Sequence, residues 1–353
     1  MPVECQITRP CTDTKVLNIA QAFAWQWQPR LAHDVADNTA LLACLCTNAA
    51  FGVTICVAAG DEAAQGSAVV AGLMMNEVYQ VRVLLEAMAG TRSTLEPKGA
   101  PNMPITRRER MLTALAHQQP DVTPWQIDLT SDAREATARY LCDDEFESKI
   151  GNHFVGMEDG WSDDVGHGRW RDNFGVVWNR TIDRDIGNVE TLLLPEPDVR
   201  LYRFPRPDHA RNAARVQRLL SENEGVFTGA GIGFSMFERA WTLRGMENLL
   251  MDMVLHPRFV DDLLDAILAY NLEVLDSLLQ FPVDCIRFGD DWGQQHGLIM
   301  GPRLWRRFIK PRVAAMYARV KSAGRFVMQH SCGDVAEIFP DLIEIGLDIF
   351  NTF

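Results

Sequence analysis

Residues 325–353 read RFVMQHSCGDVAEIFPDLIEIGLDIFNTF, and their reading decides the fold. The alternating run over 325–331 is a strand, Gly333 permits a sharp turn, apolar residues at helical spacing over 335–345 form a helix, and 347–353 return as a second strand. Strand, helix and strand in so short a stretch are the repeating unit of a parallel sheet, because parallel neighbours need a crossover to join them.

The same alternation extends upstream. A strand over 284–290 precedes a helix over 302–323 that Pro311 kinks or divides. A strand over 226–234, itself preceded by a helix over 209–222, leads into helices over 246–253 and 257–280. The long helix carries Phe259, Leu263, Ile267, Tyr270, Val274 and Leu278 at three- or four-residue steps, the stripe that a helix buries. Nearer the start, Thr106 and Glu109 form a capping box for a helix over 107–117. A strand over 123–129 follows, with Asp128 near its end as a substrate-binding candidate. After an acidic helical region, 174–182 (FGVVWNRTI) reads as an inserted hairpin strand, and the prolines of 192–208 dictate an extended loop.

The first hundred residues have a different texture, rich in Ala and Cys and poor in charge. Their apolar residues within 67–88 suit one or two helices, and the stretch ends in the Pro/Gly/Ser/Thr-rich TRSTLEPKGAPNMP. We divide the chain into an unassigned extension, 1–102, and a folded body, 103–353. The extension reads as a small domain, a fused segment or the product of a misassigned start.

A net charge of −13 argues against a partner that is nucleic acid or an anionic membrane, both of which need a positive surface field. The eight cysteines are too sparse for a disulfide scaffold, so reduced thiols and a cytoplasmic location are expected. No signal peptide is legible at the start. The apolar stretch 40–60 is interrupted by Asn48, Gly52 and Thr54 and suits a buried helix or strand better than a membrane span. A small-molecule substrate is the expected partner, and the oligomeric state is not legible.

Three segments carry candidate chemistry. In FVMQHSCGDV the alternation of a strand puts His330 and Cys332 on one side, where imidazole and thiolate can share one metal ion; a packed histidine beside an inert cysteine is the plainer alternative. In IRFGDDWGQQHG a strand ends in paired carboxylates and an exposed-prone Trp292. Asp290 is read as pointing inward in an orienting or proton-handling role, Trp292 as substrate-binding, and Asp291 as the cap of a turn. In FTGAGIGFSMFERAW, Gly229, Gly231 and Gly233 lack the pattern of a dinucleotide site; they admit a ligand to the backbone, with Phe234 and Glu238 lining its pocket, or form a structural turn. His153, His167, Trp170 and His296 fall in loops without a motif, and Arg303, Arg306, Arg307, Lys310 and Arg312 read as a solvated helix face.

Residues 103–124 (MPITRRERMLTALAHQQPDVTP), 288–312 (FGDDWGQQHGLIMGPRLWRRFIKPR) and 326–353 together resemble the uroporphyrinogen decarboxylase superfamily. The resemblance implies a (β/α)8 TIM barrel. About six strands are legible where a barrel needs eight, and the last residues fall on a strand, so the barrel is expected to be incomplete at its C-terminus and open. The His-x-Cys-Gly segment resembles the cobalamin-dependent methyltransferase branch, which implies zinc on His330 and Cys332. A third ligand is expected beyond Phe353, and a corrinoid carried by a partner protein would be the methyl donor. The decarboxylase branch implies an arginine-rich first strand that grips propionates, whereas 124–135 read PWQIDLTSDARE. We therefore expect a methyltransferase-like enzyme, with decarboxylation in porphyrin biosynthesis as the alternative and an inactive remnant as a second.

Overall fold

The computed structural model describes residues 105–351, together with the backbone of β1 (Leu42–Cys46) and β2 (Thr54–Ala58), which pair as a two-stranded sheet within the apolar stretch 40–60. The helices expected over 67–88 and the rest of the extension lie outside the described residues, as do Thr352 and Phe353.

Two compact units are distinguished, and the described residues of the smaller one are chiefly 129–151. There α2 (Ser131–Leu141), the second described helix in chain order, starts on Thr130, whose hydroxyl accepts the Ala133 N–H at 3.3 Å. Arg134 joins it to α3 (Phe146–Ile150) through Glu147 at 2.9 Å. Cys142 forms the C-terminal cap of α2 in the left-handed conformation, and Cys285 and Cys332 are free thiols.

The larger unit contains α1 (Arg107–Leu115), where Thr106 and Glu109 form the expected capping box. The strand expected over 123–129 does not form. Pro124 cannot donate to a ladder, and the Asn152 carboxamide takes the place of a neighbouring strand: its Oδ1 accepts the Ile127 N–H at 2.9 Å and its Nδ2 donates to Ile127 O at 3.0 Å. The first sheet strand is instead β3 (Phe154–Glu158), a five-residue segment with Gly156 at its centre.

An antiparallel meander of β4 (Ser162–Gly166), β5 (Arg169–Asp172), β6 (Val177–Asn179) and β7 (Asn188–Val189) follows, so the inserted hairpin strand is the third of four. The proline-rich loop then crosses to α4 (His209–Glu222) and β8 (Phe227–Ile232). Next come α5 (Phe237–Arg244), unanticipated from sequence, α6 (Met246–Leu255), α7 (Pro257–Leu278) and β9 (Cys285–Gly289).

Beyond β9, the short pair β10 (Gly293–Gln294) and β11 (Gly297–Leu298) precedes α8 (Gly301–Leu304) and α9 (Lys310–Ser322). The break between these helices is a π turn, Trp305–Ile309, just ahead of Pro311, which has no N–H to donate back along the helix. The unit closes with β12 (Phe326–His330), α10 (Phe339–Glu344) and β13 (Ile349–Asn351). The helix expected over 335–345 is shortened because Pro340 favours a fresh start there and a tighter 3-10 turn, Ala336–Ile338, precedes it.

The strands β3, β8, β9, β12 and β13 pair in that order, all parallel. The fold is thus mixed α/β around a five-stranded parallel sheet. Side chains of Ala230, Ile232, Ile286, Phe288, Val327 and Phe350 face the helices, where the α7 stripe of Phe259, Leu263, Ile267, Tyr270, Val274 and Leu278 is buried as its spacing predicts. Each such apolar side chain contributes about 1.5–3 kcal/mol of burial. The opposite, inner face carries Phe154, Phe227, Cys285, Met328 and Ile349, closed below by Met111 of α1. No helix among the described residues is long and apolar enough to cross a membrane.

His153 ends the chain's approach to β3. It is 1% exposed and stacks edge-on against Trp125 at 4.2 Å. Burial pushes its imidazole down from 6.5 to about 4, with Arg110 and Arg107 adding to the effect. The unfolded chain therefore binds a proton first as pH falls, and the stability associated with neutral His153 is complete above about 6.5 and lost progressively toward about 4. His153→Asn keeps an acceptor for the Trp125 N–H and removes the titration. Urea unfolding at pH 7.5 and 4.5 should show wild type losing more stability between the two, by on the order of 2 kcal/mol.

Candidate metal centre

The parallel register sets His330 opposite Gly289, so the loops leaving β9 and β12 emerge side by side. They interlock residue by residue. Asp290 N donates to His330 O at 3.1 Å, Trp292 N to Ser331 Oγ at 2.9 Å, Cys332 N to Asp291 Oδ1 at 2.8 Å, and Gly293 N to Cys332 O at 3.2 Å. Gly293 and Gly333 pack backbone on backbone. A Cβ on Gly333 would stand 2.3 Å from Gly293 C, and Gly333 has φ +79°. Only glycines let the two loops approach so closely.

The interlock gathers Asp291, His330 and Cys332. One ligand atom from each lies within 4.8 Å of the other two. Cys332 Sγ is 3.6 Å from His330 Nε2, and His330 Nε2 is 3.6 Å from Asp291 Oδ1. Zinc bonds of about 2.3 Å to sulfur and 2.0–2.2 Å to nitrogen and oxygen, set at tetrahedral angles, place such ligands roughly 3.4–3.6 Å apart. The Cys332–His330 and His330–Asp291 separations match that spacing, and the three groups are placed to share one metal ion. His330 Nδ1 meets the Asn351 carboxamide oxygen. An oxygen acceptor there assigns the proton to Nδ1 and leaves the Nε2 lone pair facing Asp291 and Cys332.

The structure reverses the roles read for the paired carboxylates. Asp291, expected to cap a turn, belongs to the cluster. Asp290, expected to orient or protonate substrate, is fully buried; its carboxylate accepts the N–H groups of Met236 (3.2 Å), Phe237 (3.0 Å) and Glu238 (2.8 Å) and the Trp292 indole. It caps α5 from another strand, where a helix start concentrates unpaired N–H groups. Burial pushes its carboxyl up to about 6, against these donors, which favour the anion. Trp292, read from sequence as exposed-prone, is instead 0% exposed and wedged at 5.4 Å against Trp305; the indole needed a buried acceptor and found Asp290.

Glu238, on the first turn of α5, does face the cluster. Burial and the charges of Asp291 and Asp290 push its carboxyl well above the ordinary carboxylate range. Phe234 sits at φ +51° with its ring edge-on to Trp178 at 5.1 Å and Arg239 at 5.8 Å, an aromatic contact with the meander. Asp128 is exposed and accepts from Gln126 Nε2 at 2.6 Å, on the segment that forms no strand. Cys285 lies in the apolar floor of the sheet, where burial pushes its thiol up. The basic cluster on α8 and α9 is paired within the fold: Arg306 and Lys310 with Asp341, and Arg307 and Arg312 with Asp261. Asn351 escaped the sequence reading, and no local motif marks it.

Gly333→Ala should cost about 2 kcal/mol or more, since it combines a left-handed backbone with a backbone clash. Urea unfolding would measure this; a loss within about 0.5 kcal/mol would show that the loops are not locked together as described.

Residues 203–352 match the family model for uroporphyrinogen decarboxylase (URO-D). No curated protein matches the chain in sequence. Among solved structures, a methyltransferase from Methanosarcina mazei is similar at 16% identity and a TM-score of 0.50, over 70% of this chain and 75% of that one. At that identity the likeness speaks for a shared fold. The matched residues, 203–352, hold β8, β9, β12 and every ligand of the candidate centre.

Proposed function

We propose that the chain is an enzyme of the methyltransferase-like branch of this family, binding zinc and moving a methyl group from a corrinoid to a substrate thiol. The observation that carries the reading is the sulfur, nitrogen and oxygen donor set of Cys332, His330 and Asp291, gathered within 4.8 Å with the imidazole 3.6 Å from each of the other two. The fold shared with a methyltransferase is consistent with it. A barrel of the TIM type, a corrinoid protein as partner and an unassigned extension at 1–102 belong to the same proposal.

Zinc, when bound, would lower the pKa of a coordinated thiol and keep it as thiolate at neutral pH. The chain's own residues supply the rest. Asn351 fixes the His330 ring, and Asp290 holds the start of α5 so that Glu238 stays against Asp291. A corrinoid, when bound, would supply the methyl group and keep the electron pair of the cobalt–carbon bond, while the substrate thiol would lose its proton to solvent as its sulfur becomes a thioether.

Zinc content and methyl transfer from methylcobalamin to 2-mercaptoethanol test this together. Cys332→Ser and His330→Ala should lose both, and Asn351→Ala should weaken zinc binding by roughly 10–100-fold while leaving the ligands in place. Undiminished transfer in a zinc-free Cys332→Ser protein would overturn the reading. The family model matched at 203–352 favours decarboxylation as the second reading; carbon dioxide release from uroporphyrinogen, insensitive to Cys332→Ser, would establish that instead.

A further inference from the structure

The inner face of the parallel sheet is layered. Strand pairing sets Phe154 beside Phe227, then Gly156, Gly229, Cys285 and Phe326 in one row, and above them Glu158, Gly231, Arg287, Met328 and Ile349 in the next. The row above that holds Gly289, His330 and Asn351. The two lower rows form an apolar floor closed by Met111. Arg287 and Glu158 are thus one pleat below His330, about 6–7 Å along the strands.

This charged pair is not satisfied by the fold. Arg287 Nε is buried with no hydrogen-bond partner among the described residues. Its NH1 stands 3.8 Å from Glu158 Oε1, beyond hydrogen-bond reach. A guanidinium carries five N–H donors, and leaving a buried one unmade is costly. The glycines beside the pair carry no side chain that could cover it. Gly231 separates them in register, and a Cβ on it would meet Arg287 O at 2.2 Å; a Cβ on Gly233 would meet Glu158 Oε2 at 2.5 Å. Both side chains are partly exposed, Arg287 by 26% and Glu158 by 44%.

We propose that Arg287 and Glu158 form a recognition subsite for a small zwitterion of the amino-acid type, whose carboxylate pairs with Arg287 and whose ammonium pairs with Glu158. A ligand bearing both charges is neutral as a whole, so it does not add net charge beside Asp291 and Glu238, as a simple anion would. The apolar floor keeps water from below, which strengthens both pairings. That the ligand's remaining end reaches toward His330 and Cys332 rests on the proposed function; the charge recognition does not.

Calorimetric titration of the full chain with L-norvaline, valerate and butylamine separates the contributions, since the last two each lack one of the charges. Norvaline should bind saturably and at least tenfold more tightly than either. Arg287→Met and Glu158→Gln should each weaken norvaline at least tenfold while zinc content stays at the wild-type level. Equal binding of the three probes to wild type would overturn the proposal without any variant, as would norvaline affinity unchanged in a folded Arg287→Met or, should that variant not fold, in Glu158→Gln. A wild-type protein without zinc that still selects norvaline would sink the proposed metal function and leave this subsite standing.

Discussion

The parallel pairing of β9 with β12 is the contact on which the rest of the molecule depends. Its register, with Gly289 opposite His330, puts the Asp290–Gly293 and Ser331–Gly333 loops in the same place, and four backbone donors then stitch them together. The glycines at 293 and 333 let the two backbones touch. A one-residue slip would reverse the faces of every side chain on β12, moving His330 to the helix side and Gln329 inward. Apolar Val327 against the helices and Met328 in the inner floor resist that slip, so the packing of the core and the geometry of the centre specify one another.

Charge is distributed around the centre in a consistent way. Three carboxyl groups, those of Glu238, Asp290 and Asp291, lie close together, and like charges at that range repel. The structure accommodates each differently. Asp290 is surrounded by N–H donors at the start of α5, the Glu238 carboxyl is pushed well upward by burial and its two neighbours, and Asp291 faces an imidazole and a thiol. A divalent cation beside Asp291 would relieve the remaining negative charge, which is why a metal suits the cluster better than a purely organic substrate contact. Asp290 shows how a residue away from the reacting groups can govern them, since it ties the helix bearing Glu238 to the strand bearing Asp291.

Along the inner face the polarity rises toward the C-terminal ends of the strands, from phenylalanines through the Arg287 and Glu158 row to His330 and Asn351. In a parallel α/β sheet this is the end at which ligands bind. The glycines at 229, 231 and 233 therefore have a shared effect. Beside Phe154, Cys285, Arg287 and Glu158 they leave no room for side chains of their own, and the sheet keeps an open lane.

Much of this was legible in the sequence. The α7 stripe, the capping box at Thr106, the alternation of strands and helices, and the placement of His330 and Cys332 on one side follow from local periodicity, which is a property of consecutive residues. The strand lost at 123–129 was not legible, because Asn152, distant in sequence, supplies the hydrogen bonds that a neighbouring strand would have made. Nor was the exchange of roles between Asp290 and Asp291. Adjacent carboxylates look alike in a sequence, and only the fold brings the start of α5 to one and His330 and Cys332 to the other. Local pattern determined which segments became strands and helices; the pairing of strands that are far apart along the chain decided which side chains meet, and with them the chemistry.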